Sequence, residues 1–503
     1  MRQLSKSKLM AYRQCPKRLW LEIHKPELRD DSGSQAVFAA GNLVGEAARQ
    51  ALDPKGNGVN VDPNDIGWEA SARRTNAELE KGDRAIFEAY IRIPGALALV
   101  DVMRPDTDFS DLRWELIEVK GAASLKDYHK DEVAIQTYIA EKNGIPLSKS
   151  CLAYINSNFV YPGENDYNGL FVIEDLTKEA RSRTKEVETW LQDAQEIASL
   201  KSAPEIPVGD QCVKPYPCGF CNFCSDGLEE SKDPFFMIPH FSKKKRAELV
   251  LRGVDNVEGI PDDWLSERQS FVRTAHLTGE VYLDAENAQN MLGPQREYTY
   301  FLDFETISFA VPIWAQSRPY QNIPFQYSLH RLDQDGSLHH TEFLDLSYAD
   351  PRLALAEKMI EECGSKGTIY AYNAGFERNV IKSLAMTFPH LGGSLENLLM
   401  RIDDLLPIVR SCYYNPVQNG SWSLKAVAPA IDPELNYDNL TGVQDGSEAG
   451  AAYLEACKPE TTFERKKELH CQMLEYCKSD TLATVRIWQH LQGLTPKDTH
   501  SSP

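Results

Sequence analysis

The chain has 503 residues, 42% of them hydrophobic, which is enough for two to four domains with buried cores. Its formal charge of −20 argues against a protein that coats DNA, reads its sequence or lies on an anionic membrane, because phosphate binding favours a basic surface. It is compatible with a metal-dependent nuclease, where carboxylates surround cations and a local Lys/Arg groove sits on an acidic body.

The N-terminal stretch MRQLSKSKLMAYRQCPKRLW has no apolar core of signal-peptide length. No stretch reaches the roughly 18 apolar residues of a spanning helix, so no membrane partner and a cytoplasmic location are expected. In a reducing compartment eleven cysteines stay free, and a dense cluster means metal before disulfide. Residues 1–55 predict helices, with SKSKLMAYRQC and AGNLVGEAARQAL apolar at helical spacing. Residues 84–122 predict the strands AIFEAYIRI, ALALVDVM and WELIEVKG. DEVAIQTYIAEKNG predicts a helix closed at Asn143-Gly144. KSCLAYINSNFVY predicts a further strand, and a long charged helix over 176–200 leads to QCVKPYPCGFCNFC at 211–224. Residues 230–295 are polar and helical, with KKKR at 243–246. From YTYFLDFET onward, strands and helices alternate to about 492. The expected fold class is α/β. Residues 1–230 form one domain, 231–295 a helical connector, 296–495 a second domain and 496–503 a disordered tail.

Two acidic constellations stand out. Glu118 and Lys120 are two apart on a strand and share a face. An antiparallel neighbour brings Asp101 beside them. Two such carboxylates can hold a divalent cation, and the lysine can activate water or neutralise charge on the phosphorane. A solvated edge strand is the plain alternative. In the second half, Asp303 and Glu305 share one face of a strand that is otherwise aromatic and aliphatic. Burying like charges side by side is costly unless a cation compensates. Glu377 follows in the first turn of a helix, and Tyr476 and Asp480 are four apart on a late helix, hence on one face.

The D…E-x-K pattern, with Gln136 on the next helix, resembles the PD-(D/E)XK nucleases and within them the RecB-like members. Those members carry Q-x-x-x-Y, whereas here the stretch is QTYIA. A lone cysteine before the nuclease core and three after it resemble the iron–sulfur RecB-like nucleases, including CRISPR-associated ones. That resemblance covers residues 4–228. It implies a restriction-endonuclease-like domain whose two ends are joined by a [4Fe–4S] cluster on Cys15, Cys212, Cys218 and Cys224, with Cys221 a possible substitute. Thiolates also suit zinc, and spacing alone does not choose between the metals. Where relatives often have a histidine ligand on the first long helix, this chain has Gly45 followed by Glu46.

The order D-x-E, then the acid of NAGFE, then Y-x-x-x-D resembles the DEDDy exonucleases of the RNase H-like fold. It implies that Asp303, Glu305, Glu377 and Asp480 hold two Mg2+ or Mn2+ ions and that Tyr476 orients the attacking water. Asp404 falls between the second and third motifs as a structural or supporting acid. The whole chain resembles a bacterial family that fuses a cysteine-containing RecB-like domain to a C-terminal DEDDy-like domain. The connector faintly resembles a helix-hairpin-helix element. Phe304, Tyr372 and Trp422 are read as core or as base-stacking aromatics.

The expectation is a metal-dependent DNA nuclease. It trims single-stranded ends 3′ to 5′, carries a second RecB-like site at Asp101, Glu118, Lys120 and Gln136, and serves repair or defence. RNA trimming, and a regulatory nucleic-acid-binding protein with degenerate sites, are the alternatives.

Overall fold

The computed structural model describes residues 1–30, 34–53, 55–226 and 233–494. The stretch 496–503, read as a disordered tail, lies outside the described residues. The protein is mixed α/β, with three sheets among the described residues. It divides into two compact units. One is Met1–Glu229 with Phe309–Gln321; the other is Glu230–Ser308 with Asn322–Pro503.

The first unit is built on a seven-stranded sheet: β1 (Leu4–Ser5), β2 (Val59–Asn60), β3 (Ile86–Ile93), β4 (Ala96–Pro105), β5 (Trp114–Lys120), β6 (Leu147–Ile155) and β7 (Phe171–Asp175). The strand order is β2-β3-β4-β5-β6-β7, with β1 pairing β4. The β3–β4 hairpin turns at Gly95, whose φ of +86° only glycine adopts without strain. Strand β4 alternates buried and half-exposed positions, whereas β5 is buried on both faces until its last two residues. The helix Asp127–Lys142 crosses from β5 to the parallel β6 and is buried along most of its length. Its Val133, Ile135 and Ile139 pack with Leu9, Val100, Trp114 and Leu152. It ends as expected, with Gly144 left-handed at φ +87°. The charged stretch 176–200 is two helices, Thr177–Ser182 and Thr184–Ser199, broken at Arg183.

The second unit contains β8 (Tyr282–Leu283), β9 (Tyr298–Ile307), β10 (Ile323–Asp333), β11 (Leu338–Leu344), β12 (Thr368–Ala371), β13 (Ile402–Asp404) and β14 (Tyr413–Tyr414). Five of them form a sheet ordered β11-β10-β9-β12-β13, and β14 pairs with β8. Strand β9 is central, antiparallel to β10 and parallel to β12. The helix Phe463–Leu491 packs on this sheet through β9 and β10. Residues 233–294 belong to this unit: Phe235, Leu249, Val272 and Leu292 share a core with Phe301, Tyr413 and Trp488. Phe304 and Trp422 are buried, and Trp422 Nε1 donates to the Tyr413 carbonyl at 3.0 Å, so both are core residues.

Residues 309–321 lie between β9 and β10 yet pack in the first unit. Val311 joins Val44, Ile155, Tyr161 and Leu170. Tyr161 donates its amide to Ser317 O at 2.9 Å and accepts from Gln316 N at 2.8 Å.

Candidate functional site

Cys15 ends one helix and starts the next. Its own N–H bonds Ala11 O, and Pro16 takes the first position of the second helix, where its missing N–H costs nothing. Gln14 holds the 211–224 loop beside it, donating to the carbonyls of Gln211 and Tyr216, each at 2.8 Å. Cys15, Cys212, Cys218, Cys221 and Cys224 then line one cavity with Lys17 and Arg18 and no carboxylate. Burial raises the Cys218 and Cys224 thiols, and both also feel Cys15 and Cys212. This donor set fits a thiophilic metal or cluster: five thiols line one cavity with two cations and no carboxylate. Cys221 shares the cavity and stays available as a substitute ligand.

In the first unit, the register that pairs Val102 with Ile117 places Asp101 next to Glu118 one step further on. Asp101 Oδ2 accepts from Val119 N at 2.6 Å. Burial, then the Glu118 charge, pushes the Asp101 carboxyl up to about 8. Glu118 is fully buried. Burial alone would raise it, but Lys120 and Lys6 hold it well below the usual range. Lys120 Nζ lies 2.8 Å from Glu118 and 2.7 Å from Glu132, and Gln136 Nε2 donates to Glu118 Oε2. The four expected residues therefore meet, and Glu132, Lys6 and Glu88 join them. Lys6 Nζ is 2.5 Å from Glu118 and 3.5 Å from Glu132. Glu88, left-handed at φ +56°, falls between the Phe87–Val102 and Ala89–Val100 pairs, and its charge acts on Asp101. A cavity of about 690 Å³ is lined by Glu46, Glu88, Asp101, Lys120 and Gly45. A Cβ at Gly45 would meet nothing within 4 Å.

In the second unit, Asp303 and Glu305 come from β9, Glu377 from the helix Gly375–Thr387, and Tyr476 and Asp480 from the helix Phe463–Leu491. Burial, then Asp480, Glu305 and Glu377 in turn, pushes the Asp303 carboxyl well above its ordinary value. The same burial takes Glu305 to about 8, Glu377 to about 7 and Asp480 to about 6. The rise at Asp480 is limited by the hydrogen bond it accepts from Tyr437. Glu377 is 3% exposed, and its Oε2 has no hydrogen-bond partner. Crowded, buried, under-satisfied carboxylates are what a divalent cation stabilises, so this set fits one. Lys425, on the helix Leu424–Ile431, lies 5.4 Å from the Tyr437 ring and 5.5 Å from the Tyr476 ring, and its charge acts on Glu305 and Asp480.

Asp404 caps a helix, accepting from Asn373 N and Leu406 N at 3.0 Å each, a positioning role for the Glu377 segment. Cys477 is buried and touches the site. Its sulfur and one oxygen each of Asp303 and Glu305 lie within 4.8 Å of one another. Tyr437 and Lys425 carry no motif signal of their own; Lys425 lies inside GSWSLKAVAPAI, between the second and third acidic motifs.

Residues 300–423 match a family described as Domain of unknown function (DUF2779). That span includes Asp303, Glu305, Glu377 and Asp404 and stops before Tyr476 and Asp480. No curated protein matches the chain. Among the described residues, no helix is long and apolar enough to cross a membrane.

Proposed function

We propose that the protein is a metal-dependent nuclease. Its second unit is a DEDDy exonuclease of RNase H-like fold that trims single-stranded DNA ends 3′ to 5′. Its first unit is a PD-(D/E)XK, RecB-like nuclease unit joined end to end by a [4Fe–4S] cluster. The setting is cytoplasmic repair, recombination or defence. One observation carries the reading: Glu305, Glu377 and Asp480, from three separate segments, all press their charges on the buried Asp303 carboxyl, and a Glu305 oxygen lies within 4.8 Å of one of its oxygens. Folding such a cluster is costly in a protein that never binds a cation there.

Bound divalent cations would activate water and stabilise the leaving 3′ oxygen. The chain's own groups do the rest. The four carboxylates hold the cations. Tyr476, one helical turn before Asp480, orients the attacking water. Lys425 supplies positive charge beside Glu305 and Asp480, where phosphate charge must be balanced. In the first unit Asp101 and Glu118 are the cation ligands, Gln136 fixes Glu118, and Lys120 neutralises charge developing on the phosphate. A second reading of that unit alone, binding without cleavage, is favoured by Lys6, which already engages Glu118.

The test is digestion of 3′- and 5′-labelled single- and double-stranded DNA, and of matched RNA, by wild type, Lys120→Ala and Asp480→Ala in Mg2+ or Mn2+. Wild type trims single-stranded DNA from the 3′ end, Asp480→Ala does not, and Lys120→Ala retains the trimming. Normal trimming by folded Asp303→Ala overturns the assignment, and preference for RNA transfers it to RNA.

A further inference from the structure

We propose that Cys477 makes the acidic pocket of the second unit thiophilic, so that Zn2+ or Cd2+ is captured there by sulfur together with Asp303 and Glu305 and arrests Mg2+-supported cleavage. The inference rests on the nuclease reading above and adds a metal selectivity and an inhibitory ligand class to that site.

The geometry is that of a ligand set. Cys477 Sγ lies 3.6 Å from Asp303 Oδ2, and both are within 4.8 Å of a Glu305 oxygen. Sulfur and oxygen ligands on one tetrahedral zinc ion, at 2.3 Å and about 2.0 Å from the metal, stand about 3.5 Å apart. The sulfur needs no rearrangement to reach that separation. The helix Phe463–Leu491 fixes it, since Cys477 follows Tyr476 and precedes Asp480 by less than one turn. An independent observation comes from another helix. Glu377 Oε2 is buried without a hydrogen-bond partner, and its charge acts on Asp303. It offers a further donor to the same cation.

The chemistry separates metals by softness. Mg2+ takes oxygen ligands and water, so it leaves the thiol protonated and donating to Asp303. Zn2+ and Cd2+ take thiolate: the sulfur gives a lone pair to the cation, its proton leaves to solvent, and nothing is oxidised. A site closed by sulfur and carboxylates has no open position for water, which is the difference between a structural and a catalytic zinc site.

The test compares wild type with Cys477→Ser and Cys477→Ala, all with the cysteine loop intact and metal-loaded. Trimming in Mg2+ is titrated with ZnCl2, each protein being normalised to its own uninhibited rate. Cd2+ binding is followed by its sulfur-to-metal absorption in the ultraviolet and by calorimetry. We expect inhibition of wild type at Zn2+ concentrations roughly 100-fold lower than for Cys477→Ser, with an additional Cd–sulfur band only in wild type. Equal inhibition and equal Cd2+ spectra in the three proteins overturn the inference. If no protein trims at all, the nuclease reading fails, and the Cd2+ difference still decides whether Cys477 is a ligand.

Discussion

Tyr437 donates its hydroxyl hydrogen to Asp480 Oδ1, 43 residues further along the chain. The bond supplies a buried carboxylate with a donor and holds a loop outside every acidic motif against the site. Tyr437→Phe removes the donor and leaves the ring. Stability should fall by about 1–3 kcal/mol, the cost of an under-satisfied buried group. Mn2+ affinity should fall about 10-fold, as when other supports of a metal ligand are lost. Calorimetric Mn2+ titration and urea unfolding check both, and unchanged affinity would show that Tyr437 is merely packed.

Asp303 sits among Asp480, Glu305 and Glu377, each raising its carboxyl. Asp303→Asn removes a repelling charge and keeps the shape. In EDTA the variant should be more stable than wild type by about 1–2 kcal/mol. In Mn2+ the order should reverse, because only wild type gains binding energy. Thermal melts with and without metal measure this; a variant that melts lower in EDTA contradicts the claim of mutual repulsion.

Elements with strong local periodicity were legible in the sequence. The alternation in ALALVDVM and YTYFLDFET placed Asp101, Asp303 and Glu305 on strands, and i, i+4 spacing placed Tyr476 beside Asp480. What local pattern does not encode is long-range pairing. Lys6 reaches Glu118 across 112 residues, and Tyr437 reaches Asp480 with no spacing rule to announce it. The break at Arg183 escaped because both flanking segments are good helix formers. The grouping of 309–321 with the first unit escaped because apolar residues in a connection do not say which core they fill.

Lys6 and Lys120 together hold Glu118 in its charged form. Removing one cation from a buried pair strands part of the charge. Lys6→Met should therefore destabilise the protein by about 3 kcal/mol, and added Mn2+ should recover part of that loss if Glu118 is a metal ligand. Denaturation with and without Mn2+ decides. No recovery would favour the non-cleaving reading of the first unit.

The five thiols around one cavity predict unequal substitutions. Cys218 and Cys224 both feel Cys15 and Cys212. If the thiols hold the proposed cluster, Cys15→Ser should abolish the visible absorption of the anaerobically purified protein and loosen the 211–224 loop, whereas Cys221→Ser should keep the chromophore. A metal-loaded but colourless wild type would assign zinc instead. Equal loss in both variants would put Cys221 among the ligands.

His330 and His340 predict how the second unit responds to acid. His330 Nδ1 pairs with Thr481 Oγ1 at 2.8 Å and His340 Nε2 with Ser328 Oγ at 2.9 Å, so the two rings tie β10 and β11 to the helix that carries Asp480. Burial lowers His330 to about 3, helped by His340, Lys478 and Arg486. Burial and Lys478 lower His340 to about 4, even though Glu342 lies 3.8 Å from its Nε2. Both folded values lie below the ordinary 6.5, so between them the unfolded chain binds more protons. The stability these rings contribute is complete above pH 6.5 and is lost as pH falls towards 4 and then 3. For buried His330 the slope approaches about 1.4 kcal/mol per pH unit, while partly solvated His340 adds less. In metal-free protein the raised carboxyls of Glu305, Glu377 and Asp480 work the other way over this window, so the check is a difference: urea unfolding of wild type and His330→Gln at pH 7, 6 and 5 should diverge by about one proton's share. If the variant keeps the full slope, the acid response belongs to other groups and the β10–helix seam is not its source.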